Sequence, residues 1–408
     1  MNSAYIIDAI RTPIGKYGGS LSNYRPDDMA SLVMQIIVER NSNINPQDFD
    51  DVIFGCANQA GEDNRNVARM ALLMAGLPAS VPGETINRLC ASGMSAVIHA
   101  SRAIHSNDAE LVIAGGVESM TRAPYVIGKA ESIFSRNVKF YDTTMGWRFP
   151  NPKLNDMYGT HSMGETAENV AELYQISRED QDLFAYNSQM KATLSQQKQI
   201  FAREIIDVKI PQKNGNSIIF NNDEFVRPQT TLDGLAKLKP AFNLNGSVTA
   251  GNSSGINDGA AALIISSELG IKNNNLKPLS RIVSSAVVGV EPKIMGIGPV
   301  EASNKALKKA GLKFDDIDII ELNEAFASQS LACIRSWGME DNDQRINPNG
   351  GAIAMGHPLG MSGARLLTTA TYELIAQNKR YALCTMCIGV GQGYAVIIEN
   401  VSNHNLKN

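Results

Sequence analysis

Four short stretches carry side chains that could do covalent chemistry. In "NRLCASGMSA" Cys90 precedes small residues that would leave its sulfur uncrowded. Cysteine is among the most buried residue types, so a packing role stands beside a nucleophilic one. The nucleophilic reading requires a helix that begins near Cys90, because a helix N-terminus lowers a thiol pKa. In "NPNGGAIAMGHPLGMSGAR" His357 sits between Gly356 and Pro358 in a glycine-dense turn. Histidine is the usual general base at neutral pH, and small neighbours let a ligand approach the backbone. "CTMCIGVGQG" holds Cys384 and Cys387. Their spacing would suit a redox pair or half a zinc site, but no second ligand pair has metal spacing, and strand-like runs flank the motif on both sides. Gly389, Gly391 and Gly393 read instead as a tight turn beside Cys387, whose N–H groups could stabilise an oxyanion. In "ELNEAFASQ" Asn323 falls between a strand and a helix, where it either caps the helix or holds a water or a substrate carbonyl. A fifth stretch, "VTAGNSSGINDGAAA", is small and polar: a loop, or backbone packed against an extended ligand.

The elements that must position these groups alternate. "DDVIFGC", "AELVIAGG", "DIDIIELN", "RYALCTMC" and "YAVIIEN" are short, apolar and β-branched, which predicts buried strands. "PDDMASLVMQIIVER", "NVARMALLMAGL", "SAVIHASRAIHS" and "PVEASNKALKKAGL" have helical apolar spacing. The alternation predicts a layered α/β fold. The two ends of the chain also resemble each other. "NPQDFDDVIFG" matches "GLKFDDIDIIELN" when Ile53 is set on Ile320, an offset of 267 residues. The same offset carries Cys90 onto His357 and lays Gly93, Met94 and Ser95 over Gly360, Met361 and Ser362. The following strands correspond after a slip of about three residues. Two copies of one unit would put Cys90 and His357 at equivalent points, each near a helix N-terminus, and a pseudo-twofold axis could bring them together.

Between the copies lies a long segment, 120–256, read as an inserted, loop-rich, ligand-covering domain. Its stretch Thr121–Lys153 carries six bases and two acids, although the whole chain has a net charge of −4. That makes it either a solvated surface or a patch that meets an anion. The 408 residues exceed one ordinary core, and 43% hydrophobic with 19% charged residues is an ordinary globular mix. The acidic balance argues against nucleic acid as a partner, and no apolar run reaches the length of a membrane span. No secretory signal pattern opens the sequence, and five cysteines suit free thiols in a reducing compartment, with cytoplasm the simplest location.

Taken together, "NRLCASGMSAV", "GGVESM", "ETAENVAELY", "RPQTTLDGLAKLKPAF", "TAGNSSGINDGAAALI", "PKIMGIGPV", "ELNEAFA", "GGAIAMGHPLGMSGAR" and "CTMCIGVGQG" resemble the thiolase family over essentially the whole chain and in family order. The resemblance implies an α/β thiolase fold, two pseudo-twofold-related halves in a layered αβαβα arrangement. The N-terminal half would span 1–119 and be completed by about 257–275; the C-terminal half would span 276–402. It implies ping-pong acyl transfer with coenzyme A as a substrate, no permanently bound cofactor and no metal. Cys90 would carry the acyl group, His357 would activate it, and Cys387 would move the proton at the α-carbon. His357 and Asn323, through water, would form one oxyanion hole; the amides of Cys90 and Gly389 would form the other. Coenzyme A would meet Arg227 near the nucleotide and Ser254 near the pantetheine, with Met163, Phe242, Met295 and Phe326 as apolar lining. A homo-oligomer, a dimer of dimers, is expected.

For the substrate, "FYDTTMGWRFPNPK", "SMGETAENVA" and "RYALCTMCIGVGQG" look most like 3-oxoadipyl-CoA thiolases. Acetoacetyl-forming members usually carry a histidine directly before the methionine that matches Met163; here Ser162 stands there and His161 is displaced. Acetoacetyl-CoA and fatty-acid 3-oxoacyl-CoA thiolases are the alternatives, and a non-catalytic acyl-CoA-binding protein is a different class. A 3-oxoacyl synthase is disfavoured because it would replace Cys387 with histidine or asparagine. A dicarboxylic substrate gives the basic stretch a purpose: one of Arg122, Arg136 or Arg148 would meet the distal carboxylate.

Overall fold

The structure, a computed structural model, describes residues 2–130, 132–212 and 215–402. Its spine is one sheet, joined at its middle where Tyr5 and Ile6 pair antiparallel with Arg281 and Ser280. Outward from that join, one side runs Tyr5–Arg11, Asn257–Ser266, Leu111–Ser119, Asp51–Gly55. The other runs Ser280–Gly289, Gln392–Asn400, Tyr381–Ile388, Ile319–Leu322. On each side the pairings are antiparallel, antiparallel, then parallel. Eight of the sheet's ten strands are therefore two copies of one four-strand pattern, as the internal repeat predicted; the short strands Gly15–Lys16 and Glu84–Ile86 add to the first side. The strands Leu111–Ser119 and Asn257–Ser266 are buried along their whole length, which is why they read as continuous apolar or small-residue runs.

Helices cover the sheet in layers. Pro26–Arg40 and Val67–Met74 pack on the outer face of the first side, and Gly298–Ala310 and Ala327–Ser336 on the outer face of the second. Ser92–His105 and Leu359–Ala376 share the central core between the two sides. These central helices begin at Ser92 and Leu359, which the offset of 267 relates. The strands that follow, starting at Leu111 and Tyr381, differ by three more, the slip read from the sequence. The "GMS" echo has a physical cause. The helices cross so closely that a Cβ on Gly93 would lie 2.6 Å from the Gly360 carbonyl oxygen, and one on Gly363 would lie 2.6 Å from the Met94 nitrogen. Only glycine allows that approach.

The segment between the halves sets regular elements among its loops. It holds a hairpin, Tyr125–Ile127 with Phe140–Asp142, and the helices Met163–Leu173 and Arg178–Gln197. The first helix opens on a capping box, with Ser162 bound to Glu165 in both directions; the second opens on Ser177, which accepts the Asp180 N–H. Their polar composition weakens the apolar period, so periodicity alone does not reveal them. Arg11, fully buried at the end of the first strand, ties this segment to the core through Glu204 at 2.6 Å and Asp223 at 2.7 Å. "VTAGNSSGINDGAAA" also differs from a loop: from Asn257 onward it is buried strand. It packs so tightly on its neighbour Leu111–Ser119 that a Cβ on Gly115 would meet the Ala261 carbonyl, so that position must be glycine.

Candidate active site

Cys90 sits in the turn Leu89–Ala91 that feeds the helix Ser92–His105. Leu89 is held at φ 47°, a left-handed conformation uncommon for such a residue, and the turn is pinned around it. Asn87 Oδ1 accepts the Leu89 N–H at 2.9 Å, while Ser92 Oγ accepts from the Arg88 N–H and donates to the Leu89 carbonyl. No side chain caps the helix, so its N-terminal dipole is left facing the Cys90 turn. Cys90 as a residue remains partly accessible. Burial pushes its pKa up to about 11, against the pull of the Gly389 and Cys90 amides that face it.

The second half supplies the partners. His357 follows Gly356, whose φ of 110° turns the chain, and it precedes the helix Leu359–Ala376. Its backbone N–H is fixed by Asn257 Oδ1 at 3.0 Å. Ser362 Oγ lies 2.6 Å from His357 Nδ1 and donates its own proton to the Pro358 carbonyl at 2.7 Å. A hydroxyl that donates to a carbonyl must accept from the imidazole, so Nδ1 carries the proton and Nε2 is the free base. Burial, then the nearby Arg365 guanidinium, lowers the His357 pKa to about 3, so the ring is neutral. Arg365 is itself buried and paired with Glu321 at 2.9 Å.

Nε2 faces Asn323 Nδ2 at 3.4 Å, and Asn323 Oδ1 is buried without a hydrogen-bond partner among the described residues. Asn323 is not a helix cap. The next helix, Ala327–Ser336, begins after Phe326 with no side-chain cap, and the Asn323 backbone is held to Thr385 at 3.0 Å. A buried, unpaired amide oxygen beside a catalytic-type imidazole can take a water or a substrate group.

Cys387 ends the strand Tyr381–Ile388, opposite Gly393, and is 1% exposed. Burial raises its pKa well above the usual thiol range, and the nearby Cys90 adds to the rise. The turn after it carries Val390 at φ 64° and Gly391 at φ 81°. A Cβ on Gly391 would meet the Val290 carbonyl, so that glycine is required. Cys384 is three residues earlier in the strand and so points to the opposite face, into the central core, with its sulfur toward the Leu366 carbonyl. A redox or zinc role shared by Cys384 and Cys387 is excluded by that alternation.

The apolar residues named for coenzyme A gather against Cys387. Met163, Met295 and Phe326 belong with it to one cluster, and Phe242 meets Phe326 edge-on at 6.3 Å while lying across Gly164. Met163 also reaches the Gly389 turn: its sulfur is 3.7 Å from where a Cβ on Gly389 would stand. Ser254 is tied by its N–H to the Ala325 carbonyl at 3.0 Å. Arg227 stands apart, exposed, its guanidinium 4.5 Å over the Phe225 ring, whose edge lies on Gly255 next to Ser254. That leaves a cation at the outer end of a line of small and apolar residues leading to two thiols.

Three supporting residues escaped the sequence reading: Asn257, Ser362 and Glu118. Glu118 accepts N–H groups from Ala57, Asn58 and Gly360, joining a loop of the first half to the helix behind His357. Ser362 had a visible signal, since it repeats Ser95 in the "GMS" echo. The two copies have diverged, Ser95 accepting from Arg88 and Ser362 from His357.

Residues 4–269 match the family model described as "Thiolase, N-terminal domain", and residues 276–400 match "Thiolase, C-terminal domain". The chain is 58% identical over 401 residues to the "3-oxoadipyl-CoA/3-oxo-5,6-dehydrosuberyl-CoA thiolase" of Escherichia coli, covering 98% of this chain and 100% of that one. It is 57% identical over 401 residues, with the same coverage, to a "Beta-ketoadipyl-CoA thiolase" of Acinetobacter baylyi. Human mitochondrial 3-ketoacyl-CoA thiolase superposes with a TM-score of 0.91 at 40% identity, covering 98% of this chain and 99% of that one. A doubled α/β unit whose two central helices, one after Cys90 and one after His357, cross in close contact, and these matches across both halves, lead to one conclusion: the chain belongs to the thiolase family of acyltransferases.

Proposed function

We propose that this thiolase cleaves 3-oxoadipyl-CoA with coenzyme A to give succinyl-CoA and acetyl-CoA. The observation that carries the reading is two neighbouring thiols, Cys90 and Cys387, together with a neutral imidazole, His357, whose free nitrogen is fixed as Nε2 and whose following helix crosses the Cys90 helix in close contact. His357 Nε2 takes the Cys90 proton, and the thiolate attacks the ketone carbon. The bond between the α- and β-carbons then breaks. Its electron pair leaves as the enolate of acetyl-CoA, and the Cys387 thiol protonates that carbon. Acetyl-CoA departs and Cys90 holds a succinyl thioester. The proton on His357 passes to the Cys387 thiolate, which restores both groups. Coenzyme A enters, gives its thiol proton to His357 and attacks the thioester; Cys90 leaves and takes that proton back.

Two oxygens become negative along this path. The amides of Cys90 and Gly389 face the sulfur, so they suit the oxygen on the carbon bonded to it. Protonated Nε2 and Asn323, the latter through a water, suit the enolate oxygen. The apolar cluster around Cys387 keeps that thiol protonated until the enolate forms, which is the state its role demands. Arg227, Ser254, Met163, Phe242, Met295 and Phe326 would hold coenzyme A. Two thiols that must stay reduced support a reducing compartment, the cytoplasm. The hairpin residues Ile133 and Phe134, 93% and 91% exposed, support burial between copies in a dimer of dimers.

A thiolysis panel tests the substrate. Cleavage of 3-oxoadipyl-CoA should exceed that of acetoacetyl-CoA and of longer uncharged 3-oxoacyl-CoAs in kcat/KM. Equal values across the panel would oppose the reading.

A further inference from the structure

The basic stretch 121–153 raised three arginines as partners for a distal carboxylate, and the structure separates them. Arg122 is already neutralised: its Nε and Nη2 grip Glu62 at 2.6 and 2.7 Å, and Arg25 reaches the same carboxylate at 3.0 Å. Arg136 is exposed, where a single ion pair is worth little. Arg148 is half-buried, and among the described residues its guanidinium has one partner, the backbone carbonyl oxygen of Asn58 at 3.2 Å. A partly desolvated guanidinium with five donors and one neutral acceptor is poised for a carboxylate.

Arg148 is also held in a built and strained setting. Gly146 at φ 77° and Phe149 at φ 51° bracket it, and the Phe149 ring is locked against Tyr141 at 4.6 Å. Strain of this kind at a non-glycine residue gathers at ligand sites. Two tethers lead from Arg148 toward Cys90. On one side Asn58 is bound by its N–H to Glu118, the same carboxylate that holds Gly360 behind His357. On the other, Trp147 donates its indole N–H to the His161 carbonyl at 3.3 Å, and two residues on, Met163 packs on Gly389, whose amide faces the Cys90 sulfur.

We propose that Arg148 is the specificity determinant of the acyl chain, its guanidinium pairing with the distal carboxylate of a dicarboxylic 3-oxoacyl thioester seated on Cys90. The proposal rests on the substrate reading above and names the residue behind it. It is tested by kcat/KM for 3-oxoadipyl-CoA and for 3-oxohexanoyl-CoA, the same chain with a methyl in place of the carboxylate. Wild-type enzyme should prefer the diacid. Arg148→Met should lower that preference by about tenfold or more, the worth of a charged hydrogen-bonded pair. Arg148→Lys should restore part of it, and Arg136→Met should leave it at the wild-type value. The proposal is overturned if Arg148→Met keeps the wild-type preference, or if it lowers both substrates equally, as a purely structural residue would. A wild-type enzyme without any preference would instead overturn the substrate reading itself.

Discussion

Replacing Ser362 with alanine tests the internal logic of the site without touching a reacting atom. In the native arrangement the Ser362 hydroxyl donates to the Pro358 carbonyl and accepts from His357 Nδ1 at 2.6 Å. That single oxygen leaves Nε2 as the basic nitrogen. The ring is buried and neutral, with its pKa lowered to about 3, so losing the hydroxyl strips a buried N–H of its partner. In Ser362→Ala the ring either keeps an unsatisfied N–H at Nδ1 or moves the proton to Nε2, where it can no longer accept one from Cys90. Leaving a buried donor unpaired costs about 1–3 kcal/mol. If that cost falls on the active tautomer, kcat drops by about 5- to 150-fold at 25 °C. KM for the acyl-CoA should change by less than about twofold, because Ser362 faces the imidazole and not the ligand-lining cluster. Steady-state thiolysis measures both constants, and a melting curve confirms that the fold persists. Ser362→Thr keeps a hydroxyl and should recover most of kcat. An alanine variant with wild-type kcat, or one whose loss lies wholly in KM, would refute the tautomer argument.

Other expectations follow from the same geometry. His357 should make the protein acid-sensitive. Its folded pKa lies near 3, below the ordinary value of 6.5, so below pH 6.5 the unfolded chain binds a proton that the native state refuses. Stability therefore falls as pH falls from 6.5 toward 3, by about 1.4 kcal/mol per unit from this group, and His357→Gln should remove that part of the slope in denaturant titrations from pH 7 to 4. Gly93→Ala would push a Cβ to 2.6 Å from the Gly360 carbonyl and should lower the melting temperature by several degrees, through overpacking of about 1–3 kcal/mol. Arg11→Met leaves Glu204 and Asp223 buried without their cation and should destabilise the fold by about 3–5 kcal/mol, read from the denaturant midpoint.

The sequence carried the frame of this site further than its walls. The offset of 267 relates the two central helices, and with them Cys90 and His357, because a repeated unit must repeat its close-packed glycines. Cys387 was legible from the glycine turn beside it. The two helices of the inserted segment were not, because a capping box and polar faces carry no strong apolar period. Nor could the sequence reveal that Arg122 is neutralised by Glu62, sixty residues away, while Arg148 keeps only a carbonyl; charge counting treats the two alike. Asn257 hid inside a small-residue run that looked like a loop, and its task, holding the His357 backbone, depends on a contact one hundred residues long. Long-range polar partners of this kind leave no local pattern to read.

The central claim is that Cys90 carries the acyl group. It is tested most directly by quenching the enzyme in acid after mixing with 3-oxoadipyl-CoA without coenzyme A, then mapping the modified peptide by mass. A succinyl thioester should appear on the peptide that contains Asn87–Ala96 and be lost in Cys90→Ala. A succinyl label on Cys56, Cys333, Cys384 or Cys387, or turnover with no covalent intermediate, would contradict it.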